Sequence, residues 1–197
     1  MSFVLGLTGP TGAGKGVFSD CAKDYGFNVV DCDFLAREAV KKGMPALSAL
    51  VNVFGKEILD INGELNRKKL ASIAFSSTEK TELLNRTVLP YIKELVIESI
   101  NGDFVLLDAP TLFESGVDSL CDKTVAVTAN KSIRKERIIK RDNLDEVSAD
   151  IRISAGKPDS FYKDRVDYLI VNDGDADIFL KKVKIYLSYI VGGKENE

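Results

Sequence analysis

A glycine-rich segment near the start of the chain, GPTGAGKG at residues 9–16, constrains the fold more than any other feature. It follows an apolar run, Phe3–Thr8, that is typical of a buried strand, and it leads into a helical pattern that begins at Lys15. Apart from its last position, the segment matches the phosphate-binding pattern G-x-x-x-x-G-K-[ST]. Gly12 and Gly14 allow a tight turn whose N–H groups, with the helix start, can face phosphate oxygens. The alternative is an ordinary glycine-rich turn.

The residue after Lys15 departs from this pattern. A Ser or Thr normally stands there and its hydroxyl ligates Mg²⁺, whereas this chain has Gly16 followed by Val17. We therefore predict that the loop binds a nucleotide, with Lys15 reaching the β- and γ-phosphates, but that it does not ligate magnesium directly. The predicted nucleotide-binding residues of the loop are Gly12, Ala13, Gly14, Lys15, Gly16 and Val17.

The composition excludes several kinds of chemistry and partner. None of the 197 residues is a histidine, which excludes imidazole acid–base catalysis, a Ser-His-Asp nucleophile and a His-ligated metal. The 27 basic and 30 acidic residues give a net charge of −3, which argues against a nucleic-acid partner. Three cysteines without CxxC spacing, no signal-peptide pattern and no membrane-spanning apolar stretch predict a cytoplasmic protein without a membrane partner.

Five short β-rich runs alternate with helical patterns along the chain. The runs are almost continuously apolar, which is typical of parallel strands that are covered on both faces. We therefore predict an α/β fold, a three-layer sandwich around a five-stranded parallel sheet. The predicted strands are Phe3–Thr8, Phe27–Val30, Phe104–Leu107, Thr124–Thr128 and Tyr168–Val171.

The long interval between the second and third runs contains helical patterns and no convincing strand. We interpret residues of about 33–102 as a helical insertion that binds the acceptor substrate; the alternative is a large helical cover for the core. The last helical pattern, Glu79–Ile100, is expected to be kinked or split in two at Pro90. The polar chain end, GGKENE, is expected to be disordered.

Carboxylates follow two of the predicted strands. Asp31 and Asp33 end the second run, and the alternation of a strand would place both on one side and Cys32 on the other. At this edge of a doubly wound sheet, Asp33 could accept a proton from an attacking hydroxyl or hold a metal, while Asp31 is expected to cap the next helix. Asp108 ends the third run, as the acidic metal-side residue does in phosphate-loop proteins.

A basic helical pattern lies between Lys131 and Arg141, with Arg134, Arg137 and Arg141 at the spacing of one helix face. We interpret residues of about 134–165 as a lid that closes on the transferring phosphates. The alternatives are a solvated helix and a patch that binds nucleic acid.

Two weaker signals follow strands as well. Asn172 lies in a turn sequence after the last predicted strand, where it could face an adenine edge. Phe113 lies in the segment Pro110–Glu114 after Asp108, where its ring could stack on a substrate ring.

Together these motifs resemble dephospho-CoA kinase, a family that transfers the γ-phosphoryl group of ATP to the 3′-hydroxyl of a ribose. The resemblance covers nearly the whole chain and includes GLTGPTGAGKG, VVDCDFLAREAV, GMPALSALVNVFGKEIL, NGELNRKKLASIAF and VLLDAPTLFESGVD. ERIIKRDNLDEVSADIRI is similar to the family's lid, and VDYLIVNDG to its last strand. The resemblance implies a P-loop kinase fold, ATP and Mg²⁺ as cofactors, dephospho-CoA as the acceptor, and the last step of coenzyme A biosynthesis.

The resemblance also implies roles for individual residues. Asp33 stands where the family has its proposed catalytic base, and Lys15 and Arg141 would neutralise charge on the transferring group. The nucleotide contacts expected outside the loop are Arg141 and Asn172. The expected substrate contacts are Asp33, Arg37, Leu112, Phe113 and Glu114, and the candidate metal ligands are Asp33 and Asp108.

Three positions depart from the family's pattern. Gly16 replaces the loop hydroxyl, Leu89 replaces the usual histidine before Pro90, and Gly156 replaces the usual glutamine of the lid. These departures leave two alternatives open, a nucleotide-binding protein without catalysis and a kinase for another small nucleotide or hydroxyl acceptor.

Overall fold

A five-stranded parallel sheet organises the computed structural model, which describes residues 2–194. The strands are β1 (Phe3–Thr8), β2 (Asn28–Asp31), β3 (Phe104–Asp108), β4 (Lys123–Thr128) and β5 (Tyr168–Val171). They lie in the order β2-β3-β1-β4-β5, and β1 pairs in parallel with both β3 and β4. All five predicted strands are confirmed, with ends shifted by at most one residue, and so is the predicted α/β fold.

The central strands are buried because both of their faces are covered. Helix α1 (Lys15–Asp24) and helix α9 (Ala176–Lys194) contribute side chains to the same apolar core as the strands. On the opposite face, Leu112 and Cys121 lie against Gly6 of β1. Because both faces are covered, the strands read as continuous apolar runs rather than as alternating ones. Fully buried strand residues of this core are Leu5, Leu7, Leu106, Val125 and Val127.

The connections of the sheet create a crevice beside the glycine-rich loop. From β1 the chain continues to β2 at one edge of the sheet, and from β4 it continues to β5 at the opposite edge, although β1 and β4 are neighbours. Ligands of such sheets bind where the strand order reverses, beyond the carboxyl ends of the strands. Three helices connect β4 to β5 next to this point, namely α6 (Lys131–Asp142), α7 (Glu146–Ser154) and α8 (Asp159–Lys163).

The chain divides into two compact units, one formed by residues 1–30 and 100–197 and the other by residues 31–99. The second unit has its own apolar core, in which Leu50 and Ile58 are fully buried. Its role in binding the acceptor stays a prediction. Its helices are α2 (Cys32–Glu38), α3 (Pro45–Phe54), α4 (Arg67–Ala74) and α5 (Thr78–Ser99), with a 3₁₀ turn at Lys56–Ile58.

Helix α5 runs as one element through Pro90 and is not split there. Proline removes one backbone donor, and its position here is exposed, so that water can hydrogen-bond to the carbonyl that loses its partner. On its other side the helix packs Leu84, Val88 and Ile92 against the core of its unit. This packing maintains the helix on both sides of the proline.

The acidic pair after β2 differs from the predicted arrangement. β2 ends at Asp31, so Cys32 and Asp33 already belong to α2, and the alternation of a strand does not apply to them. Cys32 is nevertheless buried while both carboxylates are exposed. Asp31 caps the helix as predicted, because its side chain accepts a hydrogen bond of 2.9 Å from the Phe34 N–H.

Helix α9 extends further than expected. It includes Gly192, Gly193 and Lys194, the first half of the chain end predicted to be disordered, and residues 195–197 lie outside the described residues. The packing of Val183, Tyr186 and Leu187 on the core sustains the helix up to that point. Neither α9 nor any other helix within residues 2–194 is long and apolar enough to cross a membrane.

Replacement of Leu5 by alanine tests the core. Leu5 is fully buried on the central strand, so Leu5→Ala is expected to lower the free energy of unfolding by about 3 kcal/mol, measured by denaturant titration. Ile185 is 62% exposed on α9, and Ile185→Ala is the control, with an expected change below about 0.5 kcal/mol. Equal losses in the two variants would contradict the described core.

Candidate functional site

The glycine-rich loop approaches its neighbours so closely that three of its glycines, Gly9, Gly12 and Gly14, have no room for a side chain. Gly12 has φ of +79°, and a Cβ there would lie 2.8 Å from the Arg134 carbonyl oxygen. Gly14 has φ of +114°, and a Cβ there would lie 2.5 Å from Nδ2 of Asn172. Positive φ values and these short distances both require glycine. The start of α6 and the end of β5 thus enclose the loop at the crevice of the sheet.

The Ala13 carbonyl is held by two side chains. Asn172 Nδ2 donates to it at 2.7 Å, and Arg137 Nη1 donates to it at 3.3 Å. Arg137 also donates to the Oδ1 atom of Asn172 at 3.2 Å, so the two side chains support each other. Because the N–H and C=O groups of a trans peptide point in opposite directions, this arrangement turns the Gly14 N–H away from Asn172.

Asn172 therefore has a role that differs from the expected one. Its side chain is only 5% exposed and is engaged by Ala13 and Arg137, so it braces the loop from within the protein. Its expected contact with an adenine edge stays a prediction. The bracing role of Arg137 was not predicted either, although the basic pattern of α6 included this residue.

Lys15 lies at the start of α1 and folds back over the loop. Its Nζ donates to the Gly9 carbonyl oxygen at 2.7 Å. The next two residues, Gly16 and Val17, are exposed and provide no hydroxyl. The amino end of α1 adds the positive end of a helix dipole, so this end of the loop favours an anion.

A cavity of about 480 Å³ opens beside the loop, and cations line it. Its lining residues are Gly12, Gly14, Arg137, Lys140 and Arg141. All three side chains in this lining carry a positive charge, in a chain whose net charge is −3. An elongated anion that starts at the loop would therefore be attracted into this cavity.

Arg141 is paired with the carboxylate of its neighbour, Asp142. Its Nε and Nη2 atoms donate to the two carboxylate oxygens at 2.8 and 2.9 Å. These hydrogen bonds raise the pKa of Arg141 and lower the pKa of Asp142. Arg152 on α7 donates to the same carboxylate. Because a phosphate is also an anion whose oxygens accept hydrogen bonds, it can replace Asp142 as the partner of Arg141.

Arg134 is not available to a ligand in this arrangement. Its side chain is buried, with Nε donating to the Ala129 carbonyl oxygen at 2.9 Å and Nη2 lying 3.5 Å from Asp159. The first turn of α6 therefore belongs to the support of the loop. The proposed lid function of residues of about 134–165 stays a prediction.

The segment after β3 contains both core and exposed residues. Leu112 is fully buried, with its methyl groups against Gly6, so its side chain packs in the core, and its expected contact with the substrate stays a prediction. Glu114 is exposed, and Phe113 is half-buried. The Phe113 ring meets the Phe161 ring edge to face, with centroids 6.1 Å apart.

Phe161, on α8, is an aromatic residue that the sequence patterns did not single out. The Arg165 guanidinium lies 4.2 Å from its ring centroid, a distance typical of cation–π contact. Through this ring, the segment after β3 and the end of the predicted lid are in contact. No local pattern indicates such a pairing, because the two rings lie far apart in the sequence.

Two of the remaining predicted residues lie in the second unit. Asp33 is in the first turn of α2 and Arg37 is in its last turn, and both side chains are exposed. Their expected roles toward the acceptor and the metal stay predictions. Asp108 lies in the first unit, where its Oδ2 atom accepts a hydrogen bond of 2.8 Å from the Ser19 hydroxyl.

Comparison with known proteins gives the same family by two routes. The family model described as dephospho-CoA kinase matches residues 3–177. The chain is 37% identical to a dephospho-CoA kinase of Enterococcus faecalis over 199 residues, which cover 98% of this chain and all of the relative. It is 39% identical to a dephospho-CoA kinase of Bacillus anthracis over 181 residues, covering 88% of this chain and 90% of the relative.

Solved structures show the same fold. A Thermus thermophilus protein superposes with a TM-score of 0.79 at 26% identity, over 95% of this chain and 97% of the other. Dephospho-CoA kinase from Campylobacter jejuni superposes with a TM-score of 0.70 at 22% identity, over 98% of this chain and all of the other. A shikimate kinase from Bacteroides thetaiotaomicron reaches 0.53 at 15% identity, over 96% and 98% of the two chains. At such low identity the last two comparisons concern the fold alone.

Replacement of Gly14 by alanine tests the enclosure of the loop. The added Cβ would collide with Asn172 and would require strained backbone, at a cost of about 1–3 kcal/mol. Gly14→Ala is therefore expected to lower the unfolding temperature and to weaken the binding of a fluorescent ATP analogue at least about tenfold.

Gly16→Ala is the matched control for stability. A Cβ at Gly16 meets no atom within 4 Å, and alanine is favoured in a helix, so the unfolding temperature should not fall. A Gly14→Ala variant that keeps both the stability and the nucleotide affinity of the original chain would contradict the described loop geometry.

Proposed function

The chain belongs to the dephospho-CoA kinase family, and we propose that its own residues transfer the γ-phosphoryl group of ATP to the 3′-hydroxyl of dephospho-CoA. The observation that carries the proposal is the braced loop beside a cavity lined by Arg137, Lys140 and Arg141. A nucleoside triphosphate fits this arrangement because it is an elongated polyanion, and one end of it can lie at a helix amino terminus. The proposed reaction is the last step of coenzyme A biosynthesis.

Binding of ATP uses the backbone of the loop first. The N–H groups that the bracing turns outward donate to phosphate oxygens, and the start of α1 adds its dipole. Lys15 exchanges the Gly9 carbonyl for an oxygen of the β- or γ-phosphate. Arg141 exchanges Asp142 for the phosphate chain and neutralises charge on the transferring group. Such transfer depends mainly on positioning and electrostatic stabilisation.

In the proposed chemical step, Asp33 accepts the proton of the acceptor hydroxyl. The hydroxyl oxygen forms a bond to the γ-phosphorus while the bond from phosphorus to the bridging oxygen of the β-phosphate breaks, and ADP leaves. A carboxylate can serve as this base because the transferred group, rather than the proton, carries most of the charge change. Arg37, Phe113 and Glu114 are the proposed contacts for the acceptor.

The magnesium ion of the proposed reaction fits the donors that the chain offers. Mg²⁺ keeps several waters and takes one or two carboxylates together with substrate phosphates, so it needs no dedicated cage of protein ligands. Within residues 2–194 there is no group of three or more acidic or cysteine side chains that could form such a cage. The candidate ligands are Asp108 in the first unit and Asp33 in the second, and the ion when bound would neutralise charge on the β- and γ-phosphates.

The departures at Gly16, Leu89 and Gly156 do not remove the residues proposed for catalysis. Lys15, Asp33 and Arg141 are all present, and the comparisons give no support to a catalytically silent protein or to another acceptor. A cytoplasmic location stays a prediction.

An assay of ADP release tests the proposed function. With ATP, Mg²⁺ and dephospho-CoA, turnover should require the acceptor, and Lys15→Ala should reduce the rate by about 10²–10³ because it removes a phosphate clamp. Lys23→Ala is the matched control, since Lys23 lies on the same helix and pairs only with the exposed Asp20 among the contacts described. ATP binding without ADP formation, or faster turnover with a different hydroxyl acceptor, would overturn the proposal.

Replacement of Asp33 by asparagine tests its role as the base. Asp33→Asn removes the proton acceptor, so turnover should fall by about 10²–10⁴ while the dissociation constant of ATP measured without Mg²⁺ stays the same. Asp31→Asn, two positions away, is the control because asparagine caps helices as well as aspartate does. Near-normal turnover of Asp33→Asn would refute the assignment.

A further inference from the structure

We propose that Ser19 is a positioning residue for Asp108, and that this support compensates for the metal-binding hydroxyl that the loop lacks at Gly16. This inference rests on the proposed function, since it concerns how the chain holds the metal ion that accompanies ATP. Ser19 is not among the residues that the sequence patterns indicated. The structural observation is the hydrogen bond of 2.8 Å from Ser19 Oγ to Asp108 Oδ2.

At Gly16 the start of α1 has no side chain, where the phosphate-binding pattern has a hydroxyl. The position is exposed, and no atom lies within 4 Å of a Cβ placed there. A serine at this position would contribute a hydroxyl at the loop, as the phosphate-binding pattern requires. With glycine in its place, the metal has one ligand fewer than the pattern provides, so its binding depends more on the orientation of a nearby carboxylate.

Ser19 lies three residues further along α1 and therefore on the same side of the helix as Gly16. Its side chain is buried, unlike the exposed Gly16. Asp108 is the last residue of β3 and lies opposite Leu7 of β1, the strand that leads into the loop. The hydrogen bond thus links the helix after the loop to the strand beside it, at the edge of the sheet where ligands bind.

Burial gives this hydrogen bond its orienting power. The terminal torsion of an aspartate is soft, so a carboxylate without a fixed partner samples a wide range of orientations. A buried hydroxyl that donates to Oδ2 restricts this range, and a carboxylate oxygen retains further lone pairs for a cation or for its water. Partners that orient a metal-binding carboxylate in this way typically change metal affinity by about 10–100-fold.

A purely structural role would have a different signature. The Ser19 hydroxyl could simply satisfy Asp108 between helix and sheet, in which case its loss would lower stability and leave the metal dependence of nucleotide binding unchanged. The experiment must therefore measure the metal directly rather than the rate of the reaction.

The test uses the full chain and two binding readouts. A fluorescent ATP analogue is titrated at a series of Mg²⁺ concentrations, and bound Mn²⁺ is measured by electron paramagnetic resonance in the presence of ATP. Ser19→Ala should raise the metal concentration for half-maximal binding about tenfold in both measurements, with little change in metal-free binding of the analogue. A change of less than about twofold would overturn the proposal.

Rescue by Gly16→Ser is the decisive arm. A serine at position 16 restores a loop hydroxyl, so the Gly16→Ser/Ser19→Ala variant should return to within about twofold of Gly16→Ser alone. A tenfold loss that persists in the double variant would show that Ser19 does not substitute for the loop hydroxyl, and the proposal would fail. Ser19→Cys fills a similar volume with a weaker donor and gives the same test if Ser19→Ala folds poorly.

Thr124→Val controls for the loss of a buried hydroxyl. Thr124 Oγ1 donates to Asp167 Oδ2 at 2.8 Å, the same length, but at the opposite end of the strands from the loop. This variant should lower the unfolding temperature without changing the metal dependence. An equal shift in metal dependence for Thr124→Val would make the Ser19 effect a general consequence of destabilisation and would overturn the proposal.

Failure of this inference and failure of the proposed function can be told apart. If the unaltered chain forms ADP only with dephospho-CoA while Ser19→Ala keeps its metal dependence, the function stands and the role of Ser19 is refuted. If the unaltered chain forms no ADP with this acceptor, the metal-binding measurements still decide the role of Ser19, because neither depends on turnover.

Discussion

The Ala13 carbonyl is the point on which the candidate site depends. It accepts hydrogen bonds from Asn172 and Arg137, and these two side chains also hold each other. One peptide group of the loop is thereby fixed by residues from the end of β5 and from α6. Asn172 is buried against the loop, whereas Arg137 also lines the cavity beside it, so the same guanidinium supports the loop and attracts an anion. The requirement for glycine at position 14 follows from the same contact, because Asn172 occupies the space of a side chain.

The sheet and the loop could be predicted because their signals are local. A continuous apolar run marks a strand covered on both faces, and the spacing of glycines and lysine in residues 9–16 follows from the backbone turn itself. The bracing of the loop could not be predicted, since no local pattern joins Ala13 to Asn172. The burial of Leu112 could not be predicted either, because nothing in its motif indicates that this side chain packs in the core.

The exposure of Asp33 beside the buried Cys32 agrees with the predicted separation of these side chains, but the predicted cause is wrong. Strand alternation was expected to separate Asp33 from Cys32, whereas the strand has already ended and the first turn of a helix separates them. The cap by Asp31 was predictable, since a carboxylate before a helix satisfies its free N–H groups. The pairing of Ser19 with Asp108 was not, because it requires knowing which side of α1 faces β3.

The hydrogen bond between Asn172 and Ala13 spans 159 positions of the chain. Parallel strands cannot form from neighbouring segments, so this contact closes only after β5 has joined the sheet. On a ribosome, the loop is therefore synthesised 159 residues before the side chain that supports it. A growing chain carries the glycine-rich motif before it can hold that motif in shape, so the fixed geometry of the loop is a property of the completed sheet and not of the motif alone.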